Sequence, residues 1–266
     1  MPPSNGKTLR PHYRCYNAFW LHLRDLREAE SIRPTGSKSI TRISVIAVDG
    51  PVATGKTVVA GALAHRLGYK YLDTGVMYRA ITWLALRRGI AVDDESALGA
   101  LAEAHPVSLE AEGRGQVRVA GHLVGPELRD SQITGLVSLV SRVSAVRRAL
   151  VRQQRIIGAG GDIIMVGRDI GTVVLPDADL KVYLTASPEE RARRRWQEMR
   201  DQGQELDFQQ VLQETIARDD LDTLRADSPL VPAADALHMD TGGISAEQVV
   251  EKLLAHIKRL SQKNLP

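Results

Sequence analysis

The stretch GPVATGKT, residues 50–57, decides the fold of this chain. Two glycines flank four free positions and Lys-Thr follows, which is the spacing of a phosphate-binding loop. Such a loop joins a strand to a helix, and both elements are predicted here. The apolar, β-branched run ISVIAVD precedes the loop, and TVVAGALAHRLG follows it with helical spacing and a closing glycine. This context favours a phosphate-binding loop over a glycine-rich turn that merely opens a helix.

The residues of this loop have predicted roles in holding a nucleotide. Glycines let backbone N–H groups turn inward around phosphate oxygens. Lys56 would reach the β- and γ-phosphates as a catalytic group, and the Thr57 hydroxyl could ligate Mg²⁺. We therefore assign ATP, as phosphoryl donor, and Mg²⁺ to this loop. The predicted contacts come from Gly50, Pro51, Val52, Ala53, Thr54, Gly55, Lys56 and Thr57.

Strand and helix patterns alternate from residue 43 onward, which is typical of a parallel sheet covered by helices. Strands of a parallel sheet are buried on both faces and therefore read as short apolar runs. Five such runs are ISVIAVD, YKYLD, DIIMVG, LKVYLT and DALHMD. The sequence predicts an α/β fold with a P-loop NTPase-type three-layer core and a five-stranded parallel sheet.

A small antiparallel β insertion is predicted at about residues 105–129. The segment PVSLEAEGRGQVRVAGHLVG alternates apolar with polar residues and carries turn glycines at Gly113, Gly115 and Gly121. With this insertion and a helical lid set apart, the core is expected to comprise residues 43–104, 130–187 and 226–262.

A helix pair is predicted at about residues 188–225, and it forms the lid. Ser187, Pro188 and Glu190 supply an N-cap, a first-turn proline and a capping-box acid. Gly203 separates the first helix from a second one that begins near Asp207.

Residues 1–42 differ in composition from the rest of the chain. They hold eight of the 35 Lys and Arg residues and three of the 32 Asp and Glu residues, which leaves 27 basic and 29 acidic residues downstream. Because the body is slightly acidic, the basic total is weak support for binding nucleic acid. We predict a dispensable, flexible N-terminal extension with a short helix near residues 17–30; a docking or targeting element is the alternative.

Composition also limits the class of protein. No segment approaches the ~18 consecutive apolar residues of a membrane span, and no signal-peptide pattern appears. We therefore expect a cytoplasmic monomer with no membrane or nucleic-acid partner. Cys15 is the only cysteine, which excludes an internal disulfide and a cysteine-based metal site.

Polar side chains follow two of the predicted strands. In an open parallel sheet, ligands bind at the carboxyl ends of the strands. LDTGVMYR and GRDIGTVV occupy such positions, although a helix cap and a structural ion pair are the alternative interpretations. The candidate substrate-binding residues there are Asp73, Tyr78, Arg79, Arg168 and Asp169.

Arginines of the predicted lid have two interpretations. The run ERARRRWQEMR places Arg191, Arg194 and Arg195 within one and a half helical turns. Charge runs are usually solvated faces, yet guanidiniums on a mobile helix pair also close over a triphosphate and stabilise charge during transfer. The second interpretation makes Arg194 catalytic and lets Arg191 and Arg195 bind ATP.

The segment ARDDLDTLRADSPL completes the candidate site. Arg218, Asp222 and Arg225 are spaced i, i+4, i+7 and share one face if the helix persists. An intrahelical salt bridge would explain the first two of these residues and leave Arg225 unexplained.

Six motifs carry a family resemblance from residue 43 to about residue 258. They are GPVATGKT, LDTGVMYR, ELRDSQIT, GRDIGTVVLPDADLKVYLTASPEERARRR, RDDLDTLRADSPLVPAADA and SAEQVVEKLL. In this order they resemble bacterial cytidylate kinases. The resemblance implies a nucleoside monophosphate kinase domain at residues 43–262 that moves the γ-phosphoryl group of ATP to CMP or dCMP, giving ADP and CDP or dCDP. It also implies that the β insertion belongs to the monophosphate-binding region.

The same resemblance implies roles for individual residues. Arg79, Arg168 and Arg225 would bind the acceptor's phosphate, with Arg168 also catalytic. The remaining acceptor contacts are Arg129 and Asp169 for the cytosine, Asp222 for the ribose, and Asp73, Tyr78 and Arg218 beside them.

Two positions depart from the family's loop. The family often has Gly or Ser after the lysine, whereas Thr57 follows at once here and Val58 takes the next place. The family also often has glycine where Ala53 stands. A kinase of another small acceptor and, in a different class, a nucleotide-binding module without phosphotransfer remain the alternative functions.

Overall fold

The computed structural model describes residues 43–109, 116–201 and 203–263 of the chain. Its strands are β1 (Val45–Asp49), β2 (Lys70–Asp73), β3 (Ser108–Leu109), β4 (Val117–Val119), β5 (His122–Val124), β6 (Ile163–Val166), β7 (Leu180–Thr185) and β8 (Leu237–Asp240). Five of them form a parallel sheet in the order β2-β6-β1-β7-β8. The predicted five-stranded parallel sheet is therefore confirmed.

Helices cover both faces of this sheet. They are α1 (Lys56–Leu67), α2 (Thr74–Arg87), α3 (Glu95–Ala104), α4 (Ser131–Val140), α5 (Ser144–Gly158), α6 (Pro188–Asp201), α7 (Phe208–Thr223) and α8 (Ala246–Lys263). A 3-10 turn at Pro126–Arg129 and a π-helical turn at Ile170–Val174 connect longer elements.

The core lies in two apolar layers, one on each side of the sheet. Side chains of successive strand residues point to opposite faces. Ile46 and Val48 of β1 accordingly pack in one cluster with Leu63 of α1 and Leu253 of α8. Ala47, between them, packs in the other cluster with α2, α3 and α5. The arrangement is a three-layer α/β core, as predicted.

The predicted β insertion is also present. Strands β3, β4 and β5 form a separate antiparallel sheet, in which Val117 and Val119 are buried while Arg118 between them is exposed. Gly121, with φ of 80°, makes the turn between β4 and β5. The other two predicted turn glycines, at 113 and 115, lie outside the described residues. The insertion contacts α2 where the rings of His122 and Trp83 meet edge to face at 5.6 Å.

The two helices of the predicted lid begin and end close to the expected residues. Ser187 accepts a hydrogen bond from the N–H of Glu190 at 3.2 Å, and Asp207 caps α7 through the N–H of Gln210. Gly203 lies between the helices with φ of 79°. The Trp196 indole N–H donates to the Leu206 carbonyl at 2.8 Å, which ties the end of the connection to α6.

The predicted extension at residues 1–42, with its helix, lies outside the described residues. The described chain begins with the buried Ile43, whose carbonyl accepts a hydrogen bond from the Tyr69 hydroxyl. Among the residues described, no helix is both long enough and apolar enough to cross a bilayer. The exact division into core, insertion and lid stays a prediction.

Candidate active site

The phosphate-binding loop runs from the carboxyl end of β1 to the first turn of α1. Gly50 has φ of 145°, and a Cβ on it would lie 2.2 Å from the Leu184 carbonyl oxygen of β7. Position 50 therefore accepts only glycine. Gly55, with φ of 83°, leads into α1, and among the described residues no side chain caps this helix end. The first N–H groups of α1 are therefore available to an anion.

Lys56 lies inside the mouth of the loop. Its buried ammonium donates to the Pro51 carbonyl at 2.5 Å and to the Thr54 hydroxyl at 3.3 Å. Burial, followed by the positive charge of Arg168, holds the pKa of Lys56 well below its usual value. An anion in the loop would offset both causes, because it would stabilise the charged ammonium.

Thr57 and Asp73 bring two oxygens together beside the loop. The Thr57 hydroxyl donates to Asp73 Oδ2 at 3.1 Å. Hydroxyl and carboxylate oxygens are hard ligands of the kind that Mg²⁺ prefers, so these residues fit the ion assigned to this loop. Asp73 has a second role, since its Oδ1 accepts the N–H of Gly75 and caps α2. The N-cap of α2 is therefore Asp73. The Thr74 hydroxyl does not cap this helix and donates instead to the Val166 carbonyl.

Arg79 and Arg129 lie together across the cleft. Arg79, on α2, donates to the Leu128 carbonyl at 3.2 Å and to the Thr134 hydroxyl at 2.8 Å. Burial, and then the charge of Arg129, lowers the pKa of Arg79. Such proximity of two guanidiniums is unfavourable without an anion between them. The exposed Arg129 belongs to the 3-10 turn that joins the insertion to α4.

Arg168 connects the turn after β6 with α7. Its Nε donates to Asp222 Oδ2 at 2.7 Å, and Arg225 approaches the other oxygen of Asp222 at 3.9 Å. Burial raises the pKa of Asp222, but the charges of Arg168 and Arg225 outweigh burial, so the net shift is downward. Asp222 is therefore an ionised acceptor held between two arginines that the sequence assigned to phosphate.

Arg218, one turn before Asp222 on α7, is the least satisfied cation of the cluster. Burial, and then the charge of Arg168, lowers the pKa of Arg218 to about 10, with Arg195 adding to the shift. Its buried Nε has no hydrogen-bond partner among the described residues. A buried guanidinium with an unused donor is expected to gain from a bound anion.

Asp169 forms a buried ion pair with a residue that the sequence did not single out. Arg147 of α5 donates to Asp169 Oδ2 at 2.5 Å, and Arg225 approaches Oδ1 at 3.7 Å. The Arg147 guanidinium also lies over the Tyr78 ring, 5.5 Å from its centre. Burial raises the pKa of Tyr78 to about 12, so this ring remains neutral. The arginine that accompanies Asp169 is Arg147, while Arg129 accompanies Arg79.

A signal for Arg147 was present in the sequence. It precedes Leu150 and Val151 by three and four residues and therefore lies on the apolar face of α5. A charge on such a face needs a buried partner. The structure adds a second unpredicted residue, Asp49, the last residue of β1, whose carboxylate is buried at the base of the loop.

The three arginines of α6 that the sequence singled out are each engaged by protein groups. The buried Arg191 contacts Asp219 at 2.6 Å and the carbonyls of Ala186 and Val52 at 3.0 and 3.4 Å. Through Val52, this arginine links α6 and α7 to the phosphate-binding loop. The interpretation of a merely solvated face is therefore wrong for Arg191.

Arg194 and Arg195 have contacts of different kinds. Arg194 donates to the hydroxyl and carbonyl of Thr241 at 3.0 and 2.6 Å, and the Thr241 hydroxyl lies within donating distance of the Thr185 and Thr54 carbonyls, at 3.0 and 3.2 Å. Arg195 lies 3.6 Å from Glu214 of α7. Two arginines of α6 thus reach the loop, one directly and one through Thr241.

A phosphate-binding loop that faces a cluster of buried arginines, beneath a helix pair, defines a P-loop phosphotransferase. A family model described as Cytidylate kinase matches residues 46–259. The chain belongs to the cytidylate kinase family.

Individual relatives agree with this assignment. The chain is 47% identical over 214 residues to the cytidylate kinase of Pelotomaculum thermopropionicum, which covers 80% of this chain and 95% of the relative. It is 46% identical over 215 residues to the cytidylate kinase of Enterococcus faecalis, which covers 80% of this chain and 95% of the relative.

Among solved structures, a gluconokinase from Sinorhizobium meliloti aligns with a TM-score of 0.44 and 15% identity, over 84% of this chain and 96% of that one.

Proposed function

We propose that this kinase transfers the γ-phosphoryl group of ATP to CMP or dCMP, forming ADP and CDP or dCDP. The observation that carries the proposal is the set of arginines opposite the loop. Burial, and then neighbouring guanidiniums, lower the pKa values of Arg79, Arg218 and Lys56, although Asp222 raises the pKa of Arg168. A multiply charged anionic substrate between the two sides would stabilise these cations.

The loop residues hold the donor. Backbone N–H groups between Gly50 and Thr57 surround the β-phosphate, and Lys56 releases the Pro51 carbonyl to contact the transferred group. Thr57 and Asp73 would hold Mg²⁺, and the ion would supply positive charge to offset the negative charge that develops during transfer. A preorganised cation in a buried site stabilises that charge more than water does.

Arginines from three segments hold the acceptor's phosphate. Arg79, Arg168 and Arg225 converge from α2, from the turn after β6 and from the residues that follow α7. Asp222 accepts from Arg168 on one side and is left with lone pairs for a ribose hydroxyl. Arg218, with its unused Nε, is the candidate to approach the phosphate when the lid closes.

The base is read by the carboxylate of Asp169. An ionised carboxylate only accepts hydrogen bonds, so it matches the N4 amino group of cytosine and opposes the carbonyl of uracil. The ion pair with Arg147, at 2.5 Å, fixes the orientation of the Asp169 carboxylate. Arg129 lies close enough to Arg79 to lower its pKa, and the role of Arg129 in contacting cytosine stays a prediction.

The lid at about residues 188–225 completes the site. Arg191 contacts the Val52 carbonyl of the donor loop, which supports its proposed contact with ATP. Arg195 lies near the acceptor arginine Arg79, and its contact with ATP stays a prediction. Arg194 reaches the transferred group only if it exchanges Thr241 for phosphate. The predicted cytoplasmic location, the monomeric state and the absence of a nucleic-acid partner stay predictions.

An acceptor comparison tests the function. ADP release is measured with excess CMP, dCMP, UMP, AMP or shikimate, each against an acceptor-free control. We expect CMP and dCMP to give the highest kcat/KM. A preference for AMP or shikimate would favour the kinase of another acceptor, and the absence of any acceptor-stimulated ADP release would favour the nucleotide-binding module without phosphotransfer.

A further inference from the structure

Asp49 connects the donor loop with the turn that carries the acceptor residues. It is 5% exposed and immediately precedes Gly50. Its Oδ1 accepts the N–H of Ile170 and its Oδ2 accepts the N–H of Gly171, both at 2.8 Å. One side chain therefore holds two consecutive N–H groups at the start of the π-helical turn.

This contact begins where the sheet stops. β1 and β6 are parallel neighbours whose register ends at Val48 and Val166, and the N–H of Gly167 bonds the Val48 carbonyl at 3.0 Å. The next residues, Arg168 and Asp169, are the ones proposed to bind the phosphoryl acceptor. Beyond Gly167, the Asp49 carboxylate continues the attachment of this turn to β1.

The surroundings of Asp49 show that this contact is closely fitted. A Cβ on Gly171 would lie 3.1 Å from Lys181 Cδ and 3.4 Å from Asp49 Oδ2, so glycine lets the turn approach the carboxylate. Burial raises the pKa of Asp49 to about 6, although the N–H groups of Gly171 and Ile170 lower it. A buried carboxylate is costly compared with an apolar side chain, and the sheet alone does not need one at this point.

We infer that Asp49 is a positioning residue that sets the separation between the γ-phosphate in the donor loop and the acceptor phosphate on Arg168. The inference rests on the proposed function, because it concerns transfer between these two sites. Misplacement of reacting groups by about 1 Å costs roughly 10²-fold in rate. A rigid carboxylate contact prevents such drift because it holds the turn at two points.

The test is Asp49→Asn. Asparagine keeps the shape but offers one acceptor oxygen, and its NH₂ group faces a backbone N–H. The turn must therefore shift away from β1. The readout is the ratio of CMP-dependent transfer to acceptor-free ATP hydrolysis. We expect this ratio to fall by at least roughly tenfold, from the loss of one buried hydrogen bond and the resulting displacement.

Asp179→Asn is a matched control. Asp179 also accepts two backbone N–H groups, those of Ser44 and Val45, at 2.7 and 2.8 Å. It immediately precedes β7, the parallel neighbour of β1, and so lies at the amino ends of the strands, whereas the loop lies at their carboxyl ends. This variant should lose stability and keep the wild-type ratio.

A second variant tests the same turn without changing a charge. In Gly171→Ala, the new Cβ should displace the turn from Lys181 and Asp49 and lower the ratio as well. If both variants lower transfer and hydrolysis in equal proportion, or if Asp179→Asn lowers the ratio as much, Asp49 is only structural and the inference fails. If wild-type protein prefers another acceptor, the proposed function fails instead, and the ratio is measured with that acceptor.

Discussion

The donor site proposed at residues 50–57 is made of eight consecutive residues, whereas the arginines proposed to bind the acceptor come from distant parts of the chain. In the loop, the proposed contacts are mostly backbone N–H groups, and a glycine is required where Gly50 passes the Leu184 carbonyl. Across the cleft, the proposed contacts are side chains whose charges depend on one another, as Arg168 does on Asp222. A substitution in the donor loop should therefore lower the rate of transfer without changing acceptor preference. A substitution on the acceptor side should change acceptor preference, because it also alters the ion pairs of neighbouring residues.

Lys56→Ala should have the largest effect. The variant removes the Lys56 ammonium from the mouth of the loop, where we propose that negative charge develops during transfer. We expect kcat to fall by at least roughly 10²-fold, with the fold intact and the order of acceptor preference unchanged. The measurement is steady-state kinetics together with a melting curve.

Lys70→Ala is the control for Lys56→Ala, because Lys70 is an exposed lysine at the start of β2. It should retain wild-type kcat. If Lys56→Ala retained wild-type turnover too, the loop would not be the donor site, and the proposed division into a donor loop and facing acceptor arginines would be wrong.

Asp169→Asn should affect the acceptor side alone. Asparagine offers both a donor and an acceptor, so it loses the advantage for cytosine and also leaves Arg147 without its buried counter-ion. We expect the ratio of kcat/KM for CMP over UMP to fall by at least roughly tenfold, because one mismatched buried hydrogen bond is worth about 1–3 kcal/mol. The apparent KM for ATP should change little.

Asp220→Asn provides the comparison for that variant, since Asp220 is an exposed carboxylate on α7. An unchanged CMP to UMP ratio in Asp169→Asn would mean that Asp169 serves only its ion pair with Arg147. Base selection would then lie in the β insertion or at Arg129.

The same contrast explains what the sequence could predict. The strand, loop and helix around Lys56 are local, so spacing and periodicity were enough to predict them. Arg79 and Arg168 were found because they follow strands, and Asp222 was found because its spacing places it on one helix face with Arg218. Arg147 was missed because its partner, Asp169, is on another element, and no local pattern joins the two. Asp49 was missed because it reads as the polar end of a strand, and only the fold brings Ile170 to its carboxylate.

Ala53→Gly should have the smallest effect, and it tests whether the donor loop stores backbone strain. Ala53 has φ of 59°, in the left-handed region where an L-residue is destabilised by roughly 1–2 kcal/mol and glycine is not. Glycine also makes the unfolded chain more flexible, which offsets about 0.4–1 kcal/mol of that gain. We therefore expect the free energy of unfolding to rise by about 0.5 kcal/mol in urea titrations, with kcat near the wild-type value.

The control is Ala217→Gly, at an exposed position within α7, which should instead lower the free energy of unfolding by about 1 kcal/mol. Equal losses in both variants would show that the loop is relaxed with alanine at this position, and that its fit to phosphate comes from the glycines at 50 and 55 alone.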